Sequence, residues 1–181
     1  MAHTYDQDLA GREVSVWPTV WKFALILAAF KIVYGLLVQM TGLAGTPGLG
    51  LVGFVVAVVI LVMALRSFRG RNGGYITFGQ GFVIAFVASA VSTIVSAAVD
   101  AIYFATAGQA QLDALLENTM SQVEANPGVD AQTLEMLRGF FEGVFTPGGI
   151  FVSAAITGVI GWCIASLILA AVLKRPPPIT D

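Results

Sequence analysis

The chain has 181 residues, of which 57% are hydrophobic and only 11% charged, and its mean hydropathy is +0.84. A soluble domain carries about 25% charged residues, so this chain has too little polar surface to cover a water-soluble globule and reads as a membrane protein. Nine Lys and Arg against eleven Asp and Glu leave a net charge of −2, which offers no basic field for a nucleic-acid partner, and one Cys with one His excludes an intramolecular disulfide and ordinary multi-His or multi-Cys metal sites.

Residues 1–21 form a polar leader that lacks the basic-then-apolar pattern of a cleavable signal peptide. The first apolar run, Phe23 to Thr41, is interrupted only by Lys31; its 19 residues rise about 28 Å as a helix, close to the hydrocarbon thickness. The second, Leu49 to Leu65, is uncharged, the third starts at Ile76 and passes Asp100, and the fourth runs from Ile150 to Leu173. The pattern predicts four spans at about 22–42, 48–66, 76–104 and 148–173, one membrane domain over 22–175, a turn at 66–75 and a Pro-rich tail at 176–181.

Seven of the nine basic residues, Arg12, Lys22, Arg66, Arg69, Arg71, Lys174 and Arg175, fall on one predicted side. Basic residues stay cytoplasmic, so both termini and the arginine turn are predicted inside, and residues 105–146 outside. That outer segment carries six carboxylates against Arg138. Gln111 to Glu124 repeats Leu112, Leu115, Leu116, Met120 and Val123 at helical spacing, Asn126-Pro127-Gly128 turns, and Asp130 stands where it caps a second helix through Phe145. The expected fold is all-α: a four-span transmembrane bundle with an extracytoplasmic amphipathic helical hairpin between the third and fourth spans.

Inside the spans, small residues recur every four positions, as close helix approach in lipid requires. Gly81, Ala85, Ser89, Thr93 and Ala97 form one row on the third span, with Ala88, Ser92, Ser96 and Asp100 beside it; Gly158 and Gly161 belong to similar rows on the fourth. Gly81, Ala85, Gly158 and Gly161 are therefore the candidate packing residues. Lys31 lies mid-span, where an ammonium costs at least about 2.5–3.5 kcal/mol, so it needs a partner, a wet cavity or a route to the interface. Helical side chains lean toward the N-terminus, which makes Gln80 the first candidate partner, with Tyr34 or hydroxyls as alternatives. Asp100 is expected near the outer interface, too far along the helix for a direct pair with Lys31. Lys31, Gln80, Ser89, Ser92 and Thr93 form the candidate intramembrane polar site, and simple helix packing with a snorkelling lysine is its plainer reading. Trp17, Trp21, Tyr75 and Phe78 at the inner boundaries, and Tyr103 and Phe104 at the outer, read as interfacial anchors.

No phosphate-binding loop is present, and His3 in the polar leader is too exposed in its sequence context for a triad with any of the serines. No catalytic constellation, cofactor or metal is expected. Gly70 to Phe82 has its own physical sense: glycines turn the chain, and Thr77 with Gln80 has capping-box spacing. This stretch, with Gly74-Tyr75-Ile76-Thr77-Phe78-Gly79-Gln80 at its centre, the four-span layout, the acidic outer segment and the closing Lys174-Arg175, resembles the bacterial membrane family called domain of unknown function 4199. The likeness covers about residues 19–175. It implies a bacterial inner-membrane protein and carries over no catalytic residue; Lys31 and the triple proline match no family pattern. The leading expectation is an interaction or accessory subunit contacting lipid and a membrane or envelope protein, or itself. The alternative is a small solute or ion transporter or channel using Lys31, and an enzyme acting on a lipid-linked substrate stands third.

Overall fold

The computed structural model describes residues 14–43, 46 and 48–176. His3, Arg12 and most of the predicted leader, together with Pro177, Pro178 and the end of the tail, lie outside the described residues. Among the described residues six helices follow in order: α1 Trp17–Met40, α2 Leu49–Arg71, α3 Phe78–Thr106, α4 Gln109–Glu124, α5 Ala131–Val144 and α6 Pro147–Leu173. The described residues contain no strand. Helices α1, α2, α3 and α6 are long and apolar enough to cross a membrane.

Local chemistry sets the helix ends. α1 begins five residues before the predicted span because Pro18 sits in its first turn, where a missing amide hydrogen costs nothing. α2 continues through Arg66 and Arg69 to Arg71, so these arginines belong to a helix rather than to the predicted turn. Cations are favoured at the negative end of the helix dipole, and the chain turns only where Gly73 and Gly74 adopt φ of 64° and 89°. α3 opens with a complete capping box: Thr77 Oγ1 accepts from the Gln80 amide at 3.3 Å, and Gln80 Oε1 accepts from the Thr77 amide at 3.0 Å. α6 is capped by Thr146, whose hydroxyl accepts from the Gly149 amide at 2.9 Å, and it ends before the prolines.

α3 is the hub of the bundle, packing against α1, α2 and α6, while α2 also packs on α1. Burial follows this arrangement. Val20 and Phe23 of α1, Ala64, Leu65 and Phe68 of α2, Ile76 just before α3 and Ile84 in its second turn form one core. Ala24, Leu27, Ala57, Leu61, Ala85, Ala88 and Trp162 form the next, one level along. The opposite faces are apolar as well: Ile156, Ile160, Ile164, Ile168 and Val172 of α6 recur every fourth residue, and each is more than half exposed. A stripe of this kind faces lipid rather than water.

An isolated antiparallel bridge joins the start of α3 to the end of α6. The Ile76 amide donates to the Arg175 carbonyl at 2.9 Å, and the Arg175 amide donates back at 2.8 Å. Close by in sequence, Arg71 donates to the hydroxyl of buried Thr19, tying α2 to the first turn of α1. Between α3 and α6, α4 buries Leu112 and Met120, whereas α5 buries no residue. Trp17 and Trp21 are half exposed as anchors should be, but Phe104 is buried rather than interfacial.

Candidate functional site

Lys31 stands fourteen residues from the start of α1, and Thr93 fifteen from the start of α3. The two helices run parallel, as first and third spans must, so the residues lie level. Lys31 Nζ donates to Thr93 Oγ1 at 2.7 Å and sits 4.8 Å from the centroid of the Trp162 ring on α6. A hydrogen bond to a charged group contributes about 1.5–3 kcal/mol and a desolvated cation–π contact about 2 kcal/mol. Together they offset the insertion cost of the ammonium, about 2.5–3.5 kcal/mol.

The sequence expectation of Gln80 as the partner is corrected by this register. Gln80 lies thirteen residues before Thr93, about 20 Å down the helix, and its side-chain oxygen is committed to the Thr77 cap. Ser89 and Ser92 are fully buried and bond their own helix: Ser89 Oγ donates to the Ala85 carbonyl at 2.7 Å, and Ser92 Oγ to the Ser89 carbonyl at 2.8 Å. They pack the core. Of the five candidate polar residues, the structure brings together Lys31 and Thr93.

The packing candidates divide similarly. Ala85 is fully buried, and a Cβ on Gly81 would touch Ala170 at 3.5 Å, so both mark the seam between α3 and its neighbours. A Cβ on Gly158 would fall 2.6 Å from Thr93 Cγ2, which makes this glycine the reason that α6 can lie against Thr93. Gly161 is different. A Cβ there would meet nothing within 4 Å, and the residue lines an open cavity instead of a helix contact.

That cavity has a volume of about 390 Å³ and takes its walls from all four long helices. Lys31 and Tyr34 come from α1, Gly50, Gly53 and Phe54 from α2, Ser96 and Asp100 from α3, and Gly158, Gly161 and Trp162 from α6. α2 and α6 do not pack closely on each other. The gap between them is bridged by the stacked rings of Phe54 and Trp162, 5.4 Å between centroids. Glycines of α2 and α6 therefore leave the space between these helices open beside the Phe54–Trp162 stack.

Asp100 sits near the end of α3 and is not paired with Lys31, as its distance along the helix predicts. It is half-buried; Gln39 Nε2 of α1 donates to its Oδ1 at 2.9 Å, and it lines the same cavity as Lys31. Seven residues separate it from Thr93, or about 10 Å of helix. Its carboxylate leans back toward the level of Gly35, where a Cβ would lie 3.7 Å from Oδ1. Tyr34 donates its hydroxyl to the Leu49 carbonyl at 2.7 Å, holding the first turn of α2 against the cavity rim. The signal available in sequence was that Asp100 shares a four-residue row with Ser92 and Ser96; what row of α1 it would meet was not visible.

Groups of three or more His, Cys, Asp or Glu that could hold a metal ion do not occur among the described residues. No curated protein and no solved structure matches the chain. A family profile does match, over residues 22–175, and its description is a protein of unknown function. That match takes in α1 from Lys22 onward, the other three spanning helices, the capped start of α3 and the whole cavity: the chain is a multi-pass membrane protein belonging to the DUF4199 family.

Proposed function

We propose that this protein is a binding and transport unit of the bacterial inner membrane, with both termini cytoplasmic, that takes a small polar solute or ion into the cavity beside Lys31. One observation carries the reading: an open cavity of about 390 Å³ between the spanning helices is lined by a lysine and an aspartate. Ionisable residues at membrane depth are costly and mark solute and ion pathways, and the volume falls within the usual range of small-molecule sites. The basic residues around α1, α2 and α6 support the orientation. The role has no catalytic step. Flux into liposomes reconstituted with the full chain tests it, using a panel of small anions, cations and amino acids. Wild type is expected to carry one of them and Lys31→Met to lose that flux; no flux from wild type for the whole panel overturns the proposal.

A second reading, an interaction or accessory subunit, is favoured by α5. This helix has no buried residue, and Met136 and Phe140 are each more than 60% exposed. On the proposed topology α4 and α5 form an outer hairpin whose apolar side is available to a membrane or envelope protein or to a second copy. Co-purification from native membranes supports this reading, and recovery of the protein alone as a monomer at native expression overturns it.

A further inference from the structure

The cavity contains one cationic and one anionic side chain, and these are held apart rather than paired. Lys31 is turned onto Thr93 and the Trp162 ring, while Asp100 takes its hydrogen bond from Gln39. The walls between them are glycine backbone and aromatic carbon, with Ser96 and Tyr34 supplying hydroxyls. A simple anion held at Lys31 would face the Asp100 carboxylate across low-dielectric walls, and a simple cation at Asp100 would face the ammonium. In such surroundings like charges repel strongly, so a ligand with a net charge leaves one of the two side chains uncompensated. A ligand that carries both signs compensates both.

We propose that the cavity recognises a zwitterion, placing its phosphate or carboxylate against Lys31 and its ammonium against Asp100. This deepens the transport reading and rests on it for the site, but not for the movement of the ligand. The spacing suits such a molecule. Thr93, which anchors Lys31, and Asp100 are two helical turns apart, about 10 Å along the axis, and the Asp100 carboxylate leans back over part of that distance to the level of Gly35, so the gap between the charges suits a ligand whose own charge separation is a few ångströms. The shared chemistry, an amine a few bonds from an acidic group, belongs both to soluble amino acids and to phosphoethanolamine lipid headgroups. Beside the Phe54–Trp162 stack, α2 and α6 do not pack closely on each other, which gives a headgroup a lateral way in.

Binding is tested on the purified full chain in detergent by isothermal calorimetry with four probes: glycine, glycerophosphoethanolamine, ethanolamine alone and inorganic phosphate alone. A lipid arm compares nanodiscs of phosphatidylethanolamine with nanodiscs of phosphatidylglycerol, reading retained lipid by native mass spectrometry. At least one zwitterion is expected to bind more tightly than either single-charge probe, and Lys31→Met and Asp100→Asn are each expected to weaken it roughly thirtyfold or more. Gly161→Leu, which grows into open space rather than into a neighbour, is expected to abolish binding while leaving the unfolding midpoint close to wild type. Selective retention of phosphatidylethanolamine, lost in the same variants, identifies the lipid source; binding of glycine or glycerophosphoethanolamine in phosphatidylglycerol discs identifies the soluble one. The proposal is overturned if no zwitterion binds in any arm. It is equally overturned if phosphate alone binds as tightly and Asp100→Asn leaves it unchanged, an outcome under which the transport reading survives as an anion carrier. Zwitterion binding without flux leaves this inference standing and removes the transport step.

Discussion

Thr93 has two jobs in one side chain, and they can be separated. Its hydroxyl accepts from Lys31, and its methyl fills the space that Gly158 vacates. Gly158→Ala is expected to destabilise the bundle by about 1–3 kcal/mol through overpacking, because the new methyl and Thr93 Cγ2 cannot both occupy the seam. Adding Thr93→Ser removes the obstructing methyl, keeps the hydroxyl and is expected to recover most of the loss; steric-trap unfolding in bicelles measures both. Thr93→Val removes the acceptor instead and leaves the ammonium short of a partner, a cost of about 1.5–3 kcal/mol. Lys31→Met in that background is expected to restore stability, since the group that needed the hydroxyl is gone. A cycle of the four proteins that shows purely additive effects would show that the two side chains are not coupled.

At the level of single helices, sequence and structure agree where the determinant is local. Thr77 and Gln80 close the capping box that their spacing predicts, and Asp130 caps α5, accepting from the Thr133 amide at 2.7 Å. Hydrogen bonds from Thr133, side chain first and backbone amide second, hold the Asp130 carboxyl below its usual range. A depressed carboxyl stabilises the folded form above its unfolded pKa, and the contribution is lost as pH falls through the lower, folded value. Amide exchange in the first turn of α5 is therefore expected to accelerate, relative to the intrinsic rate, as pH is lowered below about 4. Asp130→Ala should show the faster exchange at neutral pH already, and Asp130→Asn, which also caps, should lose the pH dependence. The arginine segment was less legible. Hydropathy drops at Arg66, which marks the end of an apolar run, but a helix can continue past that point when its last turns bear cations and its carbonyl end is stopped by glycines further on.

Across the whole molecule, what hydropathy cannot supply is the register between helices. The four spans are readable because each is defined by its own residues, whereas the neighbour of Lys31 depends on how far α3 is slid along α1. With both helices starting at the same level, Thr93 is abreast of Lys31 and Gln80 is not. Rows of small residues have the same ambiguity: they show that a helix is able to come close, not which glycine meets a neighbour and which borders a void, and so Gly158 and Gly161 look alike in sequence and differ in space. Topology belongs to this scale as well. Reporter fusions at Arg69 and Gln122 are expected in opposite compartments, with Arg69 cytoplasmic; the same compartment for both would remove the orientation on which the proposed function stands.

The pair of backbone bonds between Ile76 and Arg175 has a meaning for biogenesis. Ile76 is made about a hundred residues before its partner, so until the end of synthesis its amide and carbonyl lack the Arg175 bonds and are left to water. They are covered only when the last spanning helix has been made and has docked on α3. A nascent product interrupted before Lys174 thus differs from a finished one by two exposed polar groups, a molecular marker of incompleteness located where cytoplasmic quality-control factors would meet it if the arginine side is inside the cell.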